Sequence, residues 1–226
     1  MGLFDKVMSS VNEGIGAAVS SAAGGLALNA EWQQNRRVEI KMPESLEELK
    51  SAVNVQDPGE VAAYYVYAVM CLTADYDTGI NMMKYLFADL EPFGRGFTEG
   101  GGAGRGGWDP YMNDRLKDDD YRWLPRAYFE GAVASNGFHP AQPLAVQLSF
   151  NKPNTDTLNA QSLQQLGRLN IVYWVTSNAA GNKVNIELSR FDGSDRWYVT
   201  KGSVPSALFY DQRAGLTAEA RAKLWS

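Results

Sequence analysis

Residues 61–74 run 14 positions without a formal charge, directly after Asp57-Pro58-Gly59-Glu60. Aspartate followed by proline starts a helix, because the carboxylate caps orphan amides and proline lacks the amide that would be unsatisfied there. A helix with no charged face needs neighbours on every side. The sequence therefore predicts a central buried helix that the rest of the chain must cover. Ser45 with Glu48 forms a capping box for a preceding helix, with Leu46, Leu49 and Val53 as its buried stripe. Asp77 is positioned to cap a following helix that carries Ile80, Met83, Phe87 and Leu90 and is stopped by Pro92. The short ADYDT joint makes the central and following helices an αα-hairpin.

The period of the apolar pattern then changes from 3.6 to 2. Leu144, Val146, Leu148 and Phe150 alternate with small or polar residues, as a strand with one face on a core requires. Segments 169–176, 184–191 and 196–201 read as three more strands, joined by the turns SNAAGN and DGSD. Earlier, Val38, Ile40 and Met42 alternate with charged residues in a short strand ended by Pro43. Pro125 opens a short helix through Phe129, Asn136-Gly137 forms a turn, and Thr217 caps a closing helix through Trp225. Helices first and strands after imply an α+β fold, with N-terminal helices packed on a C-terminal antiparallel β-meander. At 226 residues and 45% hydrophobic composition, one domain over 36–226 buries roughly 70% of its unfolded surface.

Ahead of that domain, residues 1–35 read as an amphipathic helical appendage. On a helical wheel Leu3, Phe4, Val7, Met8, Val11, Ile15, Ala18 and Val19 share one half, opposite Asp5, Lys6, Ser9, Ser10, Asn12 and Glu13. Gly24-Gly25 is a natural stop. Residues 14–30 lack charge but are built largely from Gly, Ala and Ser, too weakly apolar to span a bilayer. Asp5 and Glu13 spoil a signal peptide, and Lys6 stands where a myristoylation motif requires Ser or Thr. The apolar face predicts binding to a partner protein or a second copy, with packing on its own domain as the other option. A membrane surface fits less well, because Lys6 is the polar face's lone cation.

The chemistry-bearing patterns fall short one by one. Gly102, Gly104 and Gly107 spell GxGxxG inside the stretch 94–107, where 8 of 14 residues are glycine. No strand precedes them, no helix follows and no Walker lysine is present, so the stretch reads as a permissive loop with no cofactor. Arg95 and Arg105 sit in RGG-like contexts, yet two arginines in a chain of net charge -5 make RNA a poor partner and DNA none. Asp118, Asp119 and Asp120, with Asp109 and Asp114, match no calcium-loop spacing, and neither does DYDTG from Asp75. One cysteine and one histidine exclude a disulfide and a Cys/His zinc site, consistent with a reducing cytoplasm. His139 lies near Ser135 without an orienting acid or nucleophile elbow, and Cys71 falls in the uncharged helix as a small apolar residue. Tyr173, Trp174, Trp197 and Tyr198 on the strands read as packing, with an aromatic pocket as the other option.

Tyr128, Gly131-Ala132, Asn136-Gly137 and Pro140 in LPRAYFEGAVASNGFHP, then Asp192-Gly193 and Trp197 in GNKVNIELSRFDGSDRWYV, carry a resemblance over 58–210. The chain resembles an uncharacterised bacterial family, a domain of unknown function. That likeness implies a fold and no catalytic set. Two departures, Ala134 where a proline is common and His139 where another residue stands, argue further against a catalytic histidine. The order of helices then curved sheet also looks like the nuclear transport factor 2-like cone, by architecture alone. The expected function is a non-enzymatic interaction module. The alternative is a small-ligand binder or enzyme with a pocket between helices and sheet.

Overall fold

The computed structural model describes residues 28–87, 115, 118–179, 181–202 and 217–224. Five strands form one antiparallel sheet in sequential order: β1 Arg36–Glu39, β2 Ala145–Phe150, β3 Arg168–Thr176, β4 Lys183–Phe191 and β5 Trp197–Gly202. The helices are α1 Leu46–Ala52, α2 Pro58–Cys71, α3 Tyr76–Leu86, α4 Lys152–Leu166 and α5 Ala218–Lys223. The fold is α+β, as the change of period required.

Helix α2 is the central element. Asp57 caps it by accepting from the amides of Gly59 and Glu60, and every residue from Pro58 to Val69 is buried except the half-buried Glu60. It touches all five strands. Val38, Val146, Leu148, Ile171, Tyr173, Val175, Ile186, Leu188 and Val199 form the sheet face beneath it and are all buried. The segregation of apolar residues to alternate strand positions drives this layer.

Several boundaries differ from the sequence reading for local reasons. Helix α3 begins at Tyr76 with Asp75 as its cap, not Asp77, because Asp75 also holds the Thr78 hydroxyl at 2.8 Å in addition to accepting from its amide. Ser45 caps α1 as expected, but the Glu48 carboxylate accepts from the amide of Glu44 rather than that of Ser45. The first strand ends at Glu39, and Met42 is 52% exposed instead of continuing the buried alternation. There the amide of Lys41 donates to the Tyr64 hydroxyl, which turns the backbone away from the sheet. The segment opened by Pro125 is a 3-10 turn, Leu124–Tyr128. Leu90, Pro92 and Trp225 lie outside the described residues.

Helix α4 interrupts the meander between β2 and β3, where the sequence shows no apolar stripe. Asn151 caps it, and Pro153 occupies its first turn. The helix runs beside β3 where β2 has ended, and its polar side chains stand in for a strand. Thr155 Oγ1 accepts from the amide of Val172 at 3.0 Å. The Asn159 carboxamide accepts from the amide of Asn170 at 2.7 Å and donates to the Asn170 carbonyl at 3.0 Å, the two bonds a neighbouring peptide group would make. Asn170 in turn accepts from Ser189 across the sheet at 2.7 Å.

Candidate interaction surface

The expected partner-binding residues Leu3, Phe4, Val7, Met8, Val11, Ile15, Ala18 and Val19 lie outside the described residues, as does the glycine-rich stretch 94–107. The structure does show where the chain bearing that face joins the domain. Asn29 accepts from the amide of Glu31 and starts a 3-10 turn, Ala30–Gln33. Trp32 from this turn stands edge-on to the buried Trp197, with ring centroids 5.3 Å apart at 84°. The Arg190 guanidinium lies 5.5 Å from both ring centroids. The Tyr173 hydroxyl donates to the Trp32 carbonyl at 2.7 Å, and Asn35 accepts from the amide of Phe150 at 2.9 Å. Burial pushes the Tyr173 phenol above its ordinary value against the opposing pull of Arg36, so it keeps its proton in the bond to Trp32.

Arg36 ties the same seam to the central helix. Its two terminal nitrogens each lie 2.7 Å from an Asp57 oxygen, a bidentate pair to the carboxylate that caps α2. One ion pair thus fixes the start of β1 and the start of α2 together. Residues 28–35 belong to the appendage side of the expected boundary, yet Leu28 and Trp32 pack against the core.

At the other end of β1 an open groove of about 390 Å³ lies between Lys41, Met42 and Pro43 and the outer face of α1, at Glu47, Glu48, Ser51 and Ala52. Its strand-side wall is braced from below, since Tyr67 donates to the Pro43 carbonyl at 2.9 Å. Met42, Pro43 and Ala52 give it an apolar lining, with Lys41 and two carboxylates at the rim. That mixture suits contact with a peptide or side chain. Between α2 and the sheet Tyr65, Tyr173 and Trp197 are fully buried, so Tyr173 and Trp197 pack into the core.

The chemistry-bearing candidates are held in structural roles. His139 Nε2 lies 2.8 Å from the Lys223 carbonyl, and the Lys223 ammonium donates to the Ser135 carbonyl at 2.9 Å, docking α5. Gly137, at φ +66°, lies against this helix, and a Cβ there would collide with the Lys223 carbonyl. Burial pushes the Cys71 thiol up to about 11, against the polar contact with Tyr67 that lowers it. Asp118 accepts from the amide of Asp120, Asp119 pairs with Arg122, and Asp120 pairs with Arg221. Among the described residues no group of three or more acidic, histidine or cysteine side chains is arranged to hold a metal.

Sequence reasoning missed the seam. Trp32 and Asn35 lie in a polar run, EWQQN, with no periodicity to mark them. Only the partners show what they do.

Fold and surface together define an α+β domain in which a central helix packs across a sequentially ordered sheet. No helix among the described residues is long and apolar enough to cross a membrane. Residues 41–215 match the family described as Domain of unknown function (DUF6935), and the chain belongs to that family. The matched range takes in the groove and the glycine-rich stretch, and it begins before Pro58, where the resemblance in the sequence starts. Neither a curated protein nor a solved structure matches the chain.

Proposed function

We infer that this protein is a non-enzymatic interaction module of the bacterial cytoplasm, which binds a partner protein or a second copy through the apolar face of residues 3–19. The observation that carries this reading is the division of that segment into an apolar half, with Leu3, Phe4, Val7, Met8, Val11 and Ile15, and a polar half. The anchored seam supports it: Trp32 and Asn35 hold the chain that follows this segment against the domain. The structural engagement of His139 and the acidic run supports a role without catalysis.

The test compares the full chain with a Val7→Asp, Val11→Asp variant in pulldown and size exclusion. The variant is expected to lose the part of the parent's assembly that residues 3–19 hold, while keeping its circular dichroism and melting temperature. Equal complex formation by both overturns the reading. A second reading, small-ligand binding, is favoured by the open groove beside α1. Its sign is a ligand-dependent rise in melting temperature that a Met42→Glu substitution removes.

A further inference from the structure

Among the described residues β1 is the outer strand of the sheet, and its outward edge is self-complementary. The amide of Ile40 donates to the Leu144 carbonyl at 2.8 Å, and the register runs Arg36 to Leu148, Arg37 to Gln147, Val38 to Val146 and Glu39 to Ala145. Alternation along an antiparallel pair then points the peptide groups of Arg36 and Val38 toward β2, and those of Arg37 and Glu39 away from it. Among the described residues no strand lies beyond β1. Arg37 and Glu39 are exposed, with side-chain exposures of 37% and 58%. Their side chains lie on the face opposite Val38, where Arg37 pairs with Glu39 and with Glu130, the latter at 2.6 Å.

We propose that β1 pairs antiparallel with β1 of a second copy about a two-fold axis at Val38, joining two five-stranded sheets into one. Rotation about Val38 sets Arg37 opposite the second copy's Glu39, and Glu39 opposite its Arg37. Both are outward-facing positions, so each opposed pair exchanges two backbone hydrogen bonds and the ladder gains four. Each pair also brings opposite charges together on one face, the favourable cross-strand arrangement. With the arginine and glutamate already neighbours within each chain, the four side chains alternate in sign around the axis. The Tyr64 hydroxyl takes the next outward amide, that of Lys41, and limits the ladder to this stretch. Beyond it, the same rotation directs the second copy's chain at residues 34 and 35 toward Lys41 and the exposed Met42 of the groove. Edge strands are commonly protected by charge of one sign; an Arg-x-Glu edge invites its own copy instead.

This contact does not depend on residues 3–19, and charge exchange separates the two. Sedimentation of the full chain over a concentration series is expected to show a dimer that weakens with salt. Arg37→Glu and Glu39→Arg each place like charges opposite one another at two points, and each is expected to weaken association roughly tenfold or more. Mixing those two variants restores opposite charges at both points and is expected to recover a heterodimer, as is the double exchange in one chain. Circular dichroism checks that each variant folds. Amide exchange at Arg37 and Glu39 gives a second readout, slowed in the parent as concentration rises and fast in either single variant. A monomer at every soluble concentration, or a dimer indifferent to all the exchanges, overturns the pairing. Loss of dimer in the single variants without recovery on mixing also overturns it.

Discussion

Replacing Asn159 by alanine tests whether helix α4 substitutes for a strand. In the structure one carboxamide serves both the amide and the carbonyl of Asn170, a residue only 2% exposed, at 2.7 and 3.0 Å. Alanine removes both partners at once. A buried polar group left without a partner costs about 1–3 kcal/mol, and a water entering the vacated space recovers part of that. The expected loss is therefore about 2–4 kcal/mol, a large share of the roughly 5–15 kcal/mol that holds a domain together. Asn159→Asp is the sharper companion: it keeps an acceptor for the amide and sets a carboxylate against the Asn170 carbonyl. Thr155→Val removes the acceptor of the Val172 amide at nearly constant shape, for about 1–3 kcal/mol. Urea unfolding at constant slope measures each loss, and amide exchange assigns it, with residues 170 and 172 exchanging faster in the matching variant. An Asn159→Ala variant within about 0.5 kcal/mol of the parent, or with unchanged exchange at residue 170, would refute the account, because surface substitutions produce changes of that size.

Trp32→Ala is expected to lower stability by about 2–3 kcal/mol through lost burial and the lost edge contact with Trp197, and to expose residues 28–35 to limited proteolysis. Gly137→Ala combines a strained positive φ with a collision at the Lys223 carbonyl, for about 1–3 kcal/mol in urea unfolding, with exchange in α5 rising most. Cys71 is expected to react with an alkylating reagent about 100-fold more slowly than a free thiol at pH 8, since its pKa rises from 9.0 to about 11 and each unit removes about nine tenths of the thiolate. Raising the pH toward 11 speeds the reaction, and a rate equal to that of a free thiol at pH 8 would contradict the burial.

The elements driven by apolar patterning were legible in the sequence. The uncharged run gave α2, its Asp-Pro start gave the cap, and alternation gave β2 to β5 within a residue or so. Features that depend on a polar partner elsewhere were not. No apolar stripe marks helix α4 in the sequence: Thr155 and Asn159 hydrogen-bond it to β3, and a hydrogen bond leaves no period behind it. Met42 continues an alternation that the Tyr64 hydroxyl ends from a distant helix. Asp77 is a good cap on paper, and the bond from the Thr78 hydroxyl sets the cap at Asp75 instead. At the candidate surface the same division holds: the face from Leu3 to Val19 is visible as a pattern, whereas the seam depends on Tyr173, Arg190 and Trp197, more than a hundred residues away from the Trp32 they hold.

The most direct test of the interaction reading is recovery of bound protein by the full chain and by the Val7→Asp, Val11→Asp variant at equal concentration, with sedimentation of each to report self-association. The account predicts that the parent retains a partner or a second copy that the variant does not, while both fold alike and the β1 pairing persists in both. Identical retention by parent and variant would contradict it.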